Sequence, residues 1–109
     1  MTELSGYRLM WIVTLFDLPV ITKTQRKHAA DYRKDLLKRG FQMAQLSCYF
    51  KYCRDKEQAE AIVRGVAASV PKDGRVDVIL ITDRQYANIT TIRGERRLKR
   101  ENPSQLSLF

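Results

Sequence analysis

Hydrophobic and polar positions follow two different periods along this chain, and the places where the period changes divide it into elements. Leu9, Met10, Trp11, Ile12, Val13, Leu15 and Phe16 form an apolar run broken only by Thr14. Side chains on both alternating faces are apolar, which predicts a central strand covered on both sides or by a partner. Asp17-Leu18-Pro19 ends it, because proline gives no N–H to a ladder and biases Leu18 toward extended geometry. Thr22 and Gln25 have capping-box spacing, and Ala29, Tyr32, Leu36 and Leu37 then recur at helical spacing until Gly40. A helix is therefore predicted from about Lys23 to Arg39.

Phe41 to Cys53 is aromatic-rich and long for one straight strand, so a bend near Leu46-Ser47 is expected to split it in two. Asp55-Lys56-Glu57-Gln58 is a second helix start, followed by Ala59, Ile62, Val63, Val66 and Val70 on one face until Pro71. Lys72-Asp73-Gly74 marks a turn, and Val76, Val78, Ile79, Leu80 and Ile81 supply another apolar strand. Asp83 to Asn88 reads as a short turn and Ile89 to Ile92 as a last short strand. The order is that of a ferredoxin-like α+β sandwich, βαββαβ, with an added C-terminal strand. Residues 1–94 form the domain and 95–109 a tail that begins basic and ends apolar.

Length changes the picture little: 109 residues leave room for one core. Charge changes it more. Twenty Lys plus Arg against twelve Asp plus Glu give a net charge of +8, which points to an anionic partner, nucleic acid first. The longest apolar run is far shorter than the roughly 20 residues of a membrane span, and the N-terminus lacks the pattern of a secretory signal. Cys48 and Cys53 match neither zinc nor redox spacing and read as reduced structural thiols of a cytoplasmic protein.

Candidate chemistry is sparse. There is no Gly-rich phosphate loop, Ser elbow or His pair, so nucleotide kinases, α/β-hydrolases and zinc hydrolases lose support. His28, the only histidine, stands mid-helix without ligands at useful spacing, which disfavours a general base. Asp17 follows a buried strand at the sheet end where loops gather, a place for a hard-metal ligand. A turn-forming Asp that caps its own loop is the commoner use of such a residue. A two-fold axis beside Asp17 would join two carboxylates at one ion. The first helix carries Lys23, Arg26, Lys27, Arg33, Lys34, Lys38 and Arg39 against Asp31 and Asp35, a density that suits phosphates, or else a solvated helix face.

Four segments in this order resemble the CRISPR-associated Cas2 family, small dimeric proteins that join the Cas1 integrase in acquiring spacers. They are Leu15-Phe16-Asp17-Leu18-Pro19, Leu36-Leu37-Lys38-Arg39-Gly40-Phe41, Gln45-Leu46-Ser47-Cys48-Tyr49 and Ile81-Thr82-Asp83-Arg84-Gln85-Tyr86. The resemblance spans residue 8 to about residue 94. It implies a ferredoxin-like homodimer in which the Asp17 carboxylates of two subunits bind Mg²⁺, with Asp17 the catalytic and metal-binding residue of a nuclease acting on RNA or double-stranded DNA. It equally implies a scaffold between Cas1 dimers that holds duplex DNA by its phosphates. Arg26, Lys27, Arg33, Arg96, Arg97, Lys99 and Arg100 are then the candidates for phosphate contact. Where the family commonly has Tyr before the acidic residue this chain has Phe16, one hydroxyl fewer.

The tail leaves two readings. Leu106, Leu108 and Phe109 are expected to add as an edge strand to the partner subunit or to Cas1; Gln105-Leu106-Ser107-Leu108-Phe109 also looks like a peptide that docks in bacterial sliding clamps. A toxin-like metal-dependent endoribonuclease, or an RNA-binding module, on the same fold is the rival function.

Overall fold

The computed structural model describes residues 10–94 and the backbone of residues 97–99. Strand β1 (Met10–Asp17) lies in the middle of a four-stranded antiparallel sheet. Helix α1 (Lys23–Lys38) leads to the hairpin of β2 (Gln42–Gln45) and β3 (Cys48–Cys53), and helix α2 (Lys56–Ala68) leads to β4 (Arg75–Thr82). The sheet order β2-β3-β1-β4 is that of the expected ferredoxin-like fold.

Local chemistry accounts for each boundary. The capping box at the start of α1 forms: Gln25 N–H donates to Thr22 Oγ1 at 3.0 Å, and Thr22 N–H donates to Gln25 Oε1 at 3.0 Å. Gly40 stops the helix with φ of +96°, in the left-handed region where a side chain is strained. Asp55 caps α2 by accepting from Gln58 N–H at 2.8 Å. The expected bend at Leu46-Ser47 is the β2–β3 turn, with a register shift between Met43 and Gln45.

One face of the sheet carries the core. Ile12, Phe16, Tyr49 and Cys53 meet Ala29, Tyr32 and Leu36 of α1 and Ala59 and Val66 of α2. Thr14 is fully buried among them and satisfies its hydroxyl by donating to Tyr49 O at 3.0 Å. Tyr32 does likewise to Val66 O at 3.2 Å, and burial pushes its hydroxyl pKa up to about 12. Burial also raises the Cys53 thiol, which keeps it protonated, as a structural thiol should be.

Two expectations change. Residues 83–88 are not a plain turn: Asp83–Ala87 form a short helix, α3, started by a second capping box between Thr82 and Gln85. The added strand β5 (Thr90–Ile92) does not extend the main sheet. It pairs with β6 (Arg97–Lys99), which lies inside the basic stretch read as tail, and the two make a separate ribbon.

Candidate metal and nucleic-acid site

The alternation of β1 divides its side chains between two environments. Ile12, Thr14 and Phe16 point into the helix-covered core, while Val13, Leu15 and Asp17 point to the opposite face. Register extends that face across the sheet: Leu15 pairs with Cys48 of β3 and Asp77 of β4, Val13 with Phe50 and Ile79, and Asp17 with Arg75. At one end α3 covers it, and Trp11 is buried between Phe50, Tyr52 and Tyr86. Toward the other end cover runs out among the described residues: Leu15 is 41% and Ile79 44% exposed.

Asp17 stands at that open end with its carboxylate exposed. Phe16 N–H donates to Ser47 O at 3.0 Å, which carries the β1–β3 contact into the β2–β3 turn and brings that turn beside Asp17. The result is an open cavity of about 330 Å³ lined by Asp17, Gln45, Ser47, Cys48, Arg75 and Asp77, together with Leu15 and Phe16. Arg75 Nη2 donates to Asp77 Oδ2 at 3.1 Å. Reading the residues in order gave Asp17 but missed Arg75 and Asp77, because only the β1–β4 register joins them to it.

The donors fit a hard cation in kind: carboxylate, amide and hydroxyl oxygens are what Mg²⁺ takes. In number they make a partial site. Among the described residues no group of three or more His, Cys, Asp or Glu side chains is placed to hold a metal; Asp17 and Asp77 are the two carboxylates that line the cavity, fewer than the six oxygen ligands of an octahedral Mg²⁺ ion. Phe16 bears on this less than its place beside Asp17 suggests. Its ring is 5% exposed and packs edge-on against Tyr32, with centroids 5.7 Å apart, so the missing hydroxyl concerns the core more than the cavity.

The basic candidates lie elsewhere. Arg26 Nη1 donates to Val20 O and Ile21 O at 3.2 and 2.8 Å, so it shapes the loop that leaves Asp17 while its other N–H groups face solvent. Lys27 is exposed and pairs with Asp31 at 3.1 Å. Arg33 is half-buried, and its Nε is buried without a hydrogen-bond partner among the described residues. None of the three lines the Asp17 cavity. Arg97 and Lys99 fall in β6, where only the backbone is described; Arg96, Arg100, Leu106, Leu108 and Phe109 lie outside the described residues.

Comparison with known proteins decides the family. The model of the family described as CRISPR associated protein Cas2 matches residues 10–89, the stretch from β1 through α3. The chain belongs to the Cas2 family. A relative from Paracidovorax avenae named CRISPR-associated endoribonuclease Cas2 is 43% identical over 107 residues, covering 97% of this chain and 99% of the relative. Proteins of the same name from Parvibaculum lavamentivorans and Flavobacterium psychrophilum are 44% identical over 101 residues and 39% over 109 residues. They cover 92% and 99% of this chain and 100% and 95% of themselves. The Cas2 match thus includes Asp17, Arg75 and Asp77 but stops before the basic stretch at residues 96–100.

Proposed function

We propose that this Cas2 protein works in CRISPR adaptation as a homodimer that bridges the Cas1 integrase, holds duplex DNA by its phosphates, and carries a Mg²⁺-dependent phosphodiesterase site at Asp17. The observation that carries the reading is that Asp17 shares one sheet face with the uncovered side chains of Leu15 and Ile79. A second copy seated on that face covers the apolar patch and sets a second Asp17 near the first. The partial metal site of one subunit then becomes a site with carboxylates from two.

Bound Mg²⁺ would supply an activated water and neutralise charge on the phosphate under attack. The chain's own part is to orient: Asp17 presents its carboxylate from the rigid end of a central strand, and the bonded turn at Ser47 closes one side of the cavity. The basic face of α1 contributes affinity without sequence preference, since phosphates position a duplex without reporting its bases.

The test is integration of a short DNA duplex into a repeat array by the cognate Cas1, comparing wild type, Asp17→Asn and Lys27→Ala/Lys34→Ala proteins at fixed Mg²⁺ and salt. Normal integration by Asp17→Asn with failure of the double lysine variant identifies a DNA-holding adaptor. Failure of Asp17→Asn alone, with dimerisation intact, makes the metal site essential. Normal integration by both variants sinks the reading.

The rival reading, a toxin-like metal-dependent endoribonuclease or RNA-binding module, draws support from the relatives' name, endoribonuclease. Preferential cleavage of single-stranded RNA over duplex DNA, abolished by Asp17→Asn, would establish it; tight RNA binding without cleavage would favour the binding module.

A further inference from the structure

The β1–β4 register sets Arg75 directly across from Asp17, with Cβ atoms at the usual cross-strand separation of about 5 Å. Opposite charges so placed ordinarily pair. Here Arg75 turns to Asp77, two residues along the same face of β4, at 3.1 Å, and Asp17 has no ion-pair partner among the described residues. We infer that Asp77 is a positioning residue: by engaging the Arg75 guanidinium it keeps that cation off Asp17 and leaves the Asp17 carboxylate open to a divalent metal. The inference rests on the metal-binding reading of Asp17 given above.

Two carboxylates compete for one guanidinium. Arg75 reaches either carboxylate from one place on the strand, and a guanidinium seated on Asp17 would have to be displaced before a metal ion entered. Asp77 removes that competitor without removing the positive charge from the cavity, where Arg75 remains within reach of a phosphate oxygen. Both partners are largely exposed, with 76% and 54% of their side-chain surface in solvent, so the preference is modest and a severalfold effect is the right scale.

The experiment measures Mn²⁺ binding by electron paramagnetic resonance in the full-length protein, with crystal structures of the same variants. Asp77→Ala is expected to weaken Mn²⁺ binding by about three- to fivefold, and Arg75→Gln/Asp77→Ala to restore it to within about twofold. The Asp77→Ala crystal structure is expected to show Arg75 bonded to Asp17. A double variant as weak as Asp77→Ala would make Asp77 a direct ligand and overturn the inference. Loss of affinity with Arg75 still away from Asp17 would overturn it as well, leaving only a diffuse effect of charge. If the wild-type protein binds no Mn²⁺, the metal reading of Asp17 fails; the position of Arg75 in the Asp77→Ala structure still decides whether Asp77 holds it.

Discussion

The indole of Trp11 lies parallel to the ring of Tyr86, with centroids 3.7 Å apart and planes 9° apart, and its Nε1–H donates to Asp83 Oδ1 at 2.9 Å. Two residues of the short helix α3 therefore hold the buried end of the sheet face whose other end carries Asp17. Stacking and the satisfied N–H together explain how so large a side chain is only 1% exposed on a face that no long helix covers. Tyr86→Ala should destabilise the protein by about 3 kcal/mol and shift Trp11 emission to the red. Trp11 is the only tryptophan, so denaturation followed by fluorescence reads this contact directly.

That helix also shows where the sequence is readable. Thr22 with Gln25 and Asp55 with Gln58 stand before long periodic stretches, and cap and period together define α1 and α2. Thr82 with Gln85 is the same capping box, but it precedes only five helical residues, too few for a period to show. Strand β6 is hidden for a related reason: Arg97-Leu98-Lys99 has the charge of a tail and one apolar residue. Asp17 is legible because a buried strand ends there, whereas Arg75 and Asp77 acquire meaning only from a pairing between distant strands.

Asp35 joins α1 to the end of α2, accepting from Arg39 Nε at 2.8 Å and from Ser69 Oγ at 3.0 Å. The Arg39 bond, ahead of the Ser69 bond, holds the Asp35 carboxyl below the usual carboxylate range. A depressed folded-state pKa contributes stability that is present above the unfolded value of about 3.9 and is lost as pH falls through the folded value. Asp35→Asn should therefore lower stability at pH 7 yet fall less steeply than wild type below about pH 4. Urea midpoints across pH 2.5 to 7 check this; parallel curves for the two proteins would remove Asp35 from the acid limb.

Gly40 combines two demands that other residues meet poorly. Its φ is +96°, and a Cβ built there would come within 2.7 Å of Lys51 Nζ. The lysine can move aside, so backbone strain dominates, and Gly40→Ala should cost about 1 to 2 kcal/mol. Lys51→Ala in the same background should recover little of the loss. Full recovery would show instead that the clash is what matters.

The open face gives the sharpest test of assembly. Leu15 and Ile79 are each about two-fifths exposed, and neither belongs to the buried core, so replacing them with charged residues leaves the helix-covered side intact. Leu15→Glu and Ile79→Glu should each convert the proposed dimer to monomer in sedimentation equilibrium while shifting the unfolding free energy of the chain itself by no more than about 1 kcal/mol. A two-fold interface contains each substituted position twice, so one substitution buries two unpaired charges in a face-to-face dimer. Metal affinity of the Ile79→Glu protein should fall with the dimer, since the second Asp17 leaves with the second subunit; Leu15 lines the Asp17 cavity, so a glutamate there adds a carboxylate and that variant reports on assembly alone. Retention of the dimer by both variants would move the interface to another surface, and a monomeric Ile79→Glu protein with undiminished metal affinity would show that one subunit's Asp17 is enough.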